Sequence, residues 1–87
     1  MKTISVTQIL RPSGKRASIP VSIVDELYDT ASQLEIVISL VNATTIKISA
    51  WRRGGSDIDQ LTEYVDKGKG KNEAQAALIR LIKRFQK

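Results

Sequence analysis

The sequence contains no cysteine and no histidine among its 87 residues. Without them the chain cannot build a disulfide framework, a thiolate nucleophile, a histidine-based catalytic triad or the usual zinc sites. Two pairs of aspartates, Asp25 with Asp29 and Asp57 with Asp59, fit helix and turn patterns that expose them to solvent rather than an acid–base pair. We therefore expect no enzyme activity, no catalytic residue, no metal and no cofactor.

Long apolar runs are also missing. No stretch approaches the roughly 18 apolar residues of a membrane-spanning helix, and the first residues turn polar at every second position instead of forming a signal-peptide core. The composition, 41% hydrophobic and 26% charged, is that of an ordinary globular chain. These features predict one soluble, cytoplasmic domain that spans residues 1–87 and does not contact a membrane.

Positive charge is abundant but unevenly distributed. The formal net charge is +5. Residues 1–66 hold seven basic and eight acidic side chains, whereas residues 67–87 hold seven basic side chains against Glu73 alone. A positive field of this kind attracts polyanions or acidic protein surfaces. The charge distribution therefore indicates that the C-terminal segment is the candidate binding surface.

The N-terminal third has the pattern of a β-hairpin followed by a helix. Apolar residues alternate over residues 3–10 and 16–23, and turn-forming residues lie between the two runs. Pro20 has no backbone N–H, so we expect the second strand to lie at a sheet edge. Residues 23–34 then repeat apolar positions at helical spacing, with Ser22 as the expected N-cap.

The middle of the chain has the pattern of strands. Residues 36–41 form a β-branched run that we interpret as a central strand buried on both faces, and residues 46–51 alternate like a returning strand. Residues 57–66 fit either a short helix capped by Ser56 or a further strand, and we favour the strand.

The C-terminal segment combines a linker and a helix. Residues 67–71 alternate lysine with glycine, which predicts a flexible linker. Asn72 and Gln75 match a capping box, and the apolar stripe that follows consists of Ala74, Leu78, Leu81, Ile82 and Phe85. The predicted fold class is therefore α+β. It comprises an N-terminal β-hairpin, a helix, a two- or three-stranded antiparallel meander and a C-terminal amphipathic helix packed on the sheet.

Residues 14–27 resemble the core of AbrB-type transition-state regulators and their antitoxin relatives. The resemblance is carried by Gly14, Ile19, Pro20, Asp25, Glu26 and Leu27. It implies a basic loop and hairpin that reads DNA within a swapped dimer. The sequence departs from that family by a longer helix and by the absence of a Gly-Asp turn between this helix and the next strand.

Two functions fit these features. The one we favour is a small regulatory or accessory protein that binds nucleic acid, DNA or RNA, through the basic face of its C-terminal helix. The alternative is a subunit that docks on an acidic protein surface, or by strand addition at a sheet edge. A core this small also leads us to expect a homodimer or a subunit of a larger complex.

The candidate nucleic-acid-binding residues come from four segments. The helix and the linker contribute phosphate-binding cations, Trp51 with its two arginines could stack on a base beside a phosphate, and the first hairpin adds two cations. In chain order the candidates are Lys15, Arg16, Trp51, Arg52, Arg53, Lys67, Lys69, Lys71, Arg80, Lys83, Arg84 and Lys87.

Overall fold

The structure is a computed structural model that describes residues 1–9, 14–55 and 59–86. This part of the chain contains a five-stranded sheet with the strand order β2-β1-β3-β4-β5. The strands are β1 Lys2–Ile9, β2 Ala17–Ile23, β3 Leu34–Leu40, β4 Thr45–Arg52 and β5 Leu61–Asp66. The helices are α1 Asp25–Ser32 and α2 Gly70–Phe85, and a 3₁₀ turn, Lys67–Lys69, precedes α2. The α+β fold class that the sequence predicts is confirmed.

The hairpin and the meander join into one sheet. β1 and β2 pair antiparallel, and β3, β4 and β5 form the expected antiparallel meander. A short parallel ladder, Thr7 to Ile9 against Val37 to Ser39, connects the two units. As a result β1, β3 and β5 run in the same direction and terminate at the same end of the sheet. Strand β2 with Pro20 lies at an edge, as predicted.

Both helices pack on one face of the sheet. Strand residues alternate between the two faces, and the positions that meet the helices are apolar. The buried apolar strand residues are Ile4, Val6, Ile23, Leu34, Ile36, Ile48, Ala50 and Val65, and the buried helix residues are Leu27, Ala31, Ala77, Leu78, Leu81, Ile82 and Phe85. The stripe predicted for α2 is thus confirmed except at Ala74, which is half-buried.

Strand β3 is central, but the prediction that it is buried on both faces is wrong. Leu34 and Ile36 are buried under the helices, whereas Val37 and Ser39 on the other face are only half-buried. The reason is that α1 and α2 lie on the same side, which leaves the second face of the sheet uncovered. The preference for a strand in the ambiguous segment is confirmed by β5, while residues 56–58, with the predicted Ser56 cap, lie outside the described residues.

Neither helix begins at the cap that the sequence suggests. The N-cap of α1 is Val24, which makes no side-chain hydrogen bond to the first turn, and Ser22 belongs to β2 instead. α2 begins at Gly70, ahead of the predicted Asn72 capping box. Gln75 serves a tertiary contact, because its Nε2 donates to the carbonyl oxygen of Ser22 at 3.2 Å.

The segment predicted to be a flexible linker has regular structure. Residues 67–69 form the 3₁₀ turn, and the Gly68 N–H donates to Asp66 Oδ1 at 2.8 Å. Gly70 then opens α2 with φ +82° and ψ −173°, a backbone conformation that essentially only glycine adopts. The turn therefore passes directly from β5 into α2 and fixes where the lysines of this segment lie.

Replacing Gly70 with alanine is expected to lower the free energy of unfolding by about 1–3 kcal/mol, because the backbone must keep a positive φ or α2 must start differently. No heavy atom outside the local backbone lies within 4 Å of the added Cβ, so the cost is strain and not a clash. Urea denaturation measures this change in the free energy of unfolding. Lys71→Ala, one residue further and exposed, is the control and should stay within about 0.5 kcal/mol of the parent protein. Equal stability of the two variants would contradict the prediction.

Candidate nucleic-acid interface

The structure distributes the candidate residues over different surfaces. Trp51 and Arg52 are neighbours in β4, but successive strand residues point to opposite faces. Trp51 pairs with Glu35 on the uncovered face, whereas Arg52 pairs with Leu34 on the side of the helices. The single site that combines Trp51 with both following arginines is therefore not formed.

Five of the candidates lie at the same end of the sheet, two at its β2 edge and three at its β5 edge. This is the end at which β1, β3 and β5 terminate, and we call it the basic end. Its basic residues are Lys15, Arg16, Lys67, Lys69 and Lys71. Lys15 and Arg16 directly precede β2, which starts at this end, and the Lys67 N–H donates to the carbonyl oxygen of Thr44 at 2.8 Å. That hydrogen bond ties the 3₁₀ turn to the turn between β3 and β4.

The basic end carries a net positive charge and, within the described part of the chain, no ion pairs. All five of its basic side chains are exposed, and none of them takes part in the ion pairs found among residues 1–9, 14–55 and 59–86. The turn of residues 41–44 beside them carries no charge. The acidic residues nearby are Asp66, which accepts the Gly68 N–H, and Glu73 in the first turn of α2. Most of the described basic side chains that make no ion pair therefore lie at this end.

The arginines towards the opposite end are engaged within the protein. Glu63 on β5 is half-buried and accepts from Arg80 at 3.1 Å, and its second carboxylate oxygen lies 3.6 Å from Arg84 Nη1. Arg53 Nη1 lies 3.2 Å from Glu35 Oε2. Arg52 stacks over Phe85, with Cζ 5.4 Å from the ring centroid.

These contacts pair part of the basic face that the sequence predicts for the C-terminal helix. Arg80, Lys83 and Arg84 are exposed, as the amphipathic pattern requires, but both arginines share the Glu63 carboxylate. Lys83 takes no part in these pairs, and Lys87 lies outside the described residues. The helix face therefore presents less uncompensated charge than its sequence suggests.

The uncovered face of the sheet, which we call the open face, presents hydroxyls and two aromatic rings. One row across it reads Ser18, Thr7, Val37, Ser49 and Thr62, in which Ser49 is buried, and the next row contains Ser39, Lys47 and Tyr64. The Ser5 and Ser18 hydroxyls hydrogen-bond to each other on this face. A solvated sheet face is normally polar in this way. Trp51 is half-buried, while the Tyr64 side chain is 63% exposed.

Lys47 and Tyr64 are absent from the candidates chosen on the sequence. Their signal was the alternation itself, since both occupy positions out of phase with the apolar residues Ile46, Ile48 and Val65. Predicting their proximity requires the register of β4 against β5, in which Lys47 lies directly opposite Tyr64.

A groove of about 540 Å³ opens beside the basic end on the helix side of the sheet. Its floor is apolar, with Ile19, Ile38 and Ile46, and the first turns of α2 form one wall. Within the described ranges no three acidic side chains converge in a way that could hold a metal ion. In the same part of the chain, no helix is long and apolar enough to cross a membrane.

Comparison with known proteins gives no relative. No protein-family model, no curated protein and no solved structure matches this chain. The resemblance of residues 14–27 to AbrB-type regulators therefore rests on those residues alone.

Proposed function

We propose that this protein binds nucleic acid without catalysis, and that its phosphate-contacting surface is the basic end. The observation that carries the proposal is that Lys15, Arg16, Lys67, Lys69 and Lys71 are exposed at the same end of the sheet, with no ion pair to another described residue. Phosphate contacts from such residues position a protein on a nucleic acid without reading its sequence. The role that follows is regulatory or accessory.

The basic end is favoured over α2 because of what each surface must give up on binding. When an exposed lysine binds a phosphate, it gives up only hydration water, and the nucleic acid releases counterions. Arg80 and Arg84 would have to leave Glu63 first, or hold a phosphate next to that carboxylate. Opposing charge at such short range cancels much of the attraction. We therefore assign the helix face a secondary role, carried mainly by Lys83.

Two variants that remove equal charge test this assignment. The first replaces Lys67, Lys69 and Lys71 with glutamine, and the second replaces Arg80, Lys83 and Arg84 with glutamine. Fluorescence anisotropy of labelled oligonucleotides is measured at several salt concentrations. For the first variant we expect the slope of log K against log salt to become shallower by about 2–3, because each lost phosphate contact contributes about 0.7–0.9. The second variant should change the slope by about 1 or less.

The matched charge makes the outcomes separable. Equal weakening in both variants would indicate a response to net charge and not to a surface. A larger loss in the α2 variant would overturn the basic end and restore the C-terminal helix as the binding face. If no oligonucleotide binds to the parent protein even at low salt, nucleic-acid binding itself is wrong.

A protein-interaction subunit is the second candidate, and the two sheet edges specify how it would dock. In sheets, proline is confined to edges where its nitrogen faces solvent, so Pro20 leaves β2 without a central donor for an added strand. β5 has no proline between Leu61 and Asp66 and forms the other edge. A partner strand or a second copy of the chain would therefore add to β5. Size-exclusion chromatography with light scattering tests whether the chain self-associates.

A further inference from the structure

The four aromatic residues of the chain divide evenly between the two sides of the sheet. Tyr28 and Phe85 lie on the helix side, and a basic side chain lies over each ring. Lys2 Nζ is 4.8 Å from the centroid of the Tyr28 ring, and Arg52 Cζ is 5.4 Å from the centroid of the Phe85 ring. Trp51 and Tyr64 lie on the open face, and no such cation covers either ring within the described ranges. Tyr64 is 63% exposed, so its ring is accessible from solvent.

Trp51 and Tyr64 are separated by a distance that suits separate bases. Tyr64 is opposite Lys47, and Trp51 follows Lys47 by four residues on the same strand. A rise of about 3.3 Å per residue and a strand spacing of about 4.8 Å place the two backbones roughly 14 Å apart. Stacked bases in a duplex are about 3.4 Å apart. The two rings therefore cannot hold neighbouring bases that remain stacked on each other.

The charges around these rings allow a phosphate backbone to pass. Glu35, which lies opposite Trp51, is paired with Arg53, and Lys47 lies beside Tyr64 on the neighbouring strand. β5 continues from Tyr64 through Asp66 into the 3₁₀ turn, so Lys67 and Lys69 follow directly at the basic end. A chain of phosphates that leaves the open face at Tyr64 would pass Asp66 and then meet these lysines.

We propose that the open face binds single-stranded nucleic acid, with bases stacked on Trp51 and Tyr64 and phosphates bound by Lys47 and the basic end. This inference rests on the proposed function and names its substrate. Single strands expose the faces of their bases, and aromatic side chains beside a basic track are the usual way in which proteins bind them. The open face as a whole cannot enter a major groove, because its five strands span about 19 Å between the outer two and the groove is roughly 12 Å wide.

The single tryptophan of the chain provides a direct signal, because Trp51 is the sole source of indole fluorescence. The full-length protein is titrated with an unlabelled oligothymidylate, with an oligouridylate and with a hairpin duplex of equal phosphate number. We expect quenching by the single strands, and at least tenfold weaker binding of the duplex. Anisotropy with labelled strands should show a loss of about tenfold in affinity for Tyr64→Ala, and a similar loss for Trp51→Leu.

Matched variants separate stacking from folding and from charge. Tyr28→Leu removes a ring from the helix side and should leave affinity unchanged. Tyr64→Phe keeps a stacking ring and should retain most of the affinity. Thermal unfolding followed by circular dichroism verifies that each variant is folded, and the exposed Tyr64 keeps the test valid if Trp51→Leu unfolds.

The remaining outcomes distinguish a failure of the stacking site from a failure of the proposed nucleic-acid binding. Single-strand binding with unchanged Trp51 fluorescence, and with full affinity in Tyr64→Ala, would overturn the stacking site and leave the basic end intact. Equal or tighter binding of the duplex would overturn the single-strand assignment in the same way. The absence of any binding at low salt would overturn the proposed function together with this inference.

Discussion

Replacement of Ile48 by alanine is expected to lower the free energy of unfolding by about 2–5 kcal/mol, a large part of the roughly 5–15 kcal/mol of a small domain. Ile48 is fully buried at the centre of β4, opposite Ile38 on β3 and Glu63 on β5. Both neighbouring strands hold its backbone in register, so the surrounding structure cannot collapse into the space that the side chain leaves. The cost therefore includes a cavity as well as lost transfer free energy.

Urea denaturation followed by far-UV circular dichroism measures this change. Val41→Ala is the control, because the Val41 side chain is 51% exposed and its truncation should alter stability by no more than about 0.5 kcal/mol. A loss below about 1 kcal/mol in Ile48→Ala would contradict the packing of the helices on this face of the sheet.

The elements of this fold are predictable because their signals are local. Alternating apolar residues mark β1, β2 and β4, and the spacing of Leu78, Leu81, Ile82 and Phe85 marks the buried side of α2. The sheet topology is not local. The parallel ladder of β1 with β3 joins segments separated by a hairpin strand and a helix, and no sequence pattern within either strand specifies it. For that reason the sequence predicts a hairpin and a meander but not their union in one sheet.

The two-sided burial expected of β3 fails for a related physical reason. An apolar run such as residues 36–41 is compatible with helices on both faces or on one. The choice is made by α1 and α2, which both take the same side, so Val37 remains on a solvated face. One consequence is functional, since the open face with Trp51 and Tyr64 exists only because no helix covers it.

The candidate site was predictable in its charge but not in its arrangement. The excess of lysine and arginine after residue 66 is visible in the sequence, and it directs attention to α2. That Glu63 would pair with both Arg80 and Arg84 depends on α2 lying along β5, and a count of charges contains no such information. Likewise Lys15 and Lys67, far apart in sequence, share the basic end because β1 and β5 terminate together.

The two ends of the sheet thus differ in how their charged side chains are paired. Near the N-terminus of α1 the Met1 amino group lies 3.6 Å from Asp25, and Arg53 at the same end pairs with Glu35. At the basic end the cations point to solvent. Placing repulsive charge at one end costs stability and is tolerated when the fold is held elsewhere. The core under α2 provides that support. A substitution in the last turn of α2 tests how much this core contributes to stability.

Replacement of Phe85 by alanine is expected to lower the free energy of unfolding by about 3–5 kcal/mol. Phe85 is 8% exposed in the last turn of α2, and the Arg52 guanidinium lies over its ring. Truncation opens a cavity between α2 and the end of β4, and it also removes a cation–π contact worth about 0.5–1 kcal/mol. Nearby, Gln86 Nε2 donates to the carbonyl oxygen of Glu26 at 3.1 Å, so the loss should extend to the docking of α2 on α1.

Phe85→Leu is the matched variant, because it keeps much of the buried volume while it removes the ring. Urea denaturation should give it a loss of less than about 1.5 kcal/mol. Because Phe85 lies at the end of α2 far from Lys67 and Lys69, folded Phe85→Leu should bind oligonucleotides with the salt dependence of the parent protein. A loss in Phe85→Ala no larger than that in Phe85→Leu would show that this turn is not packed as described. A changed salt slope in folded Phe85→Leu would instead extend the phosphate-binding surface beyond the basic end, towards Arg52 and the C-terminal turn of α2.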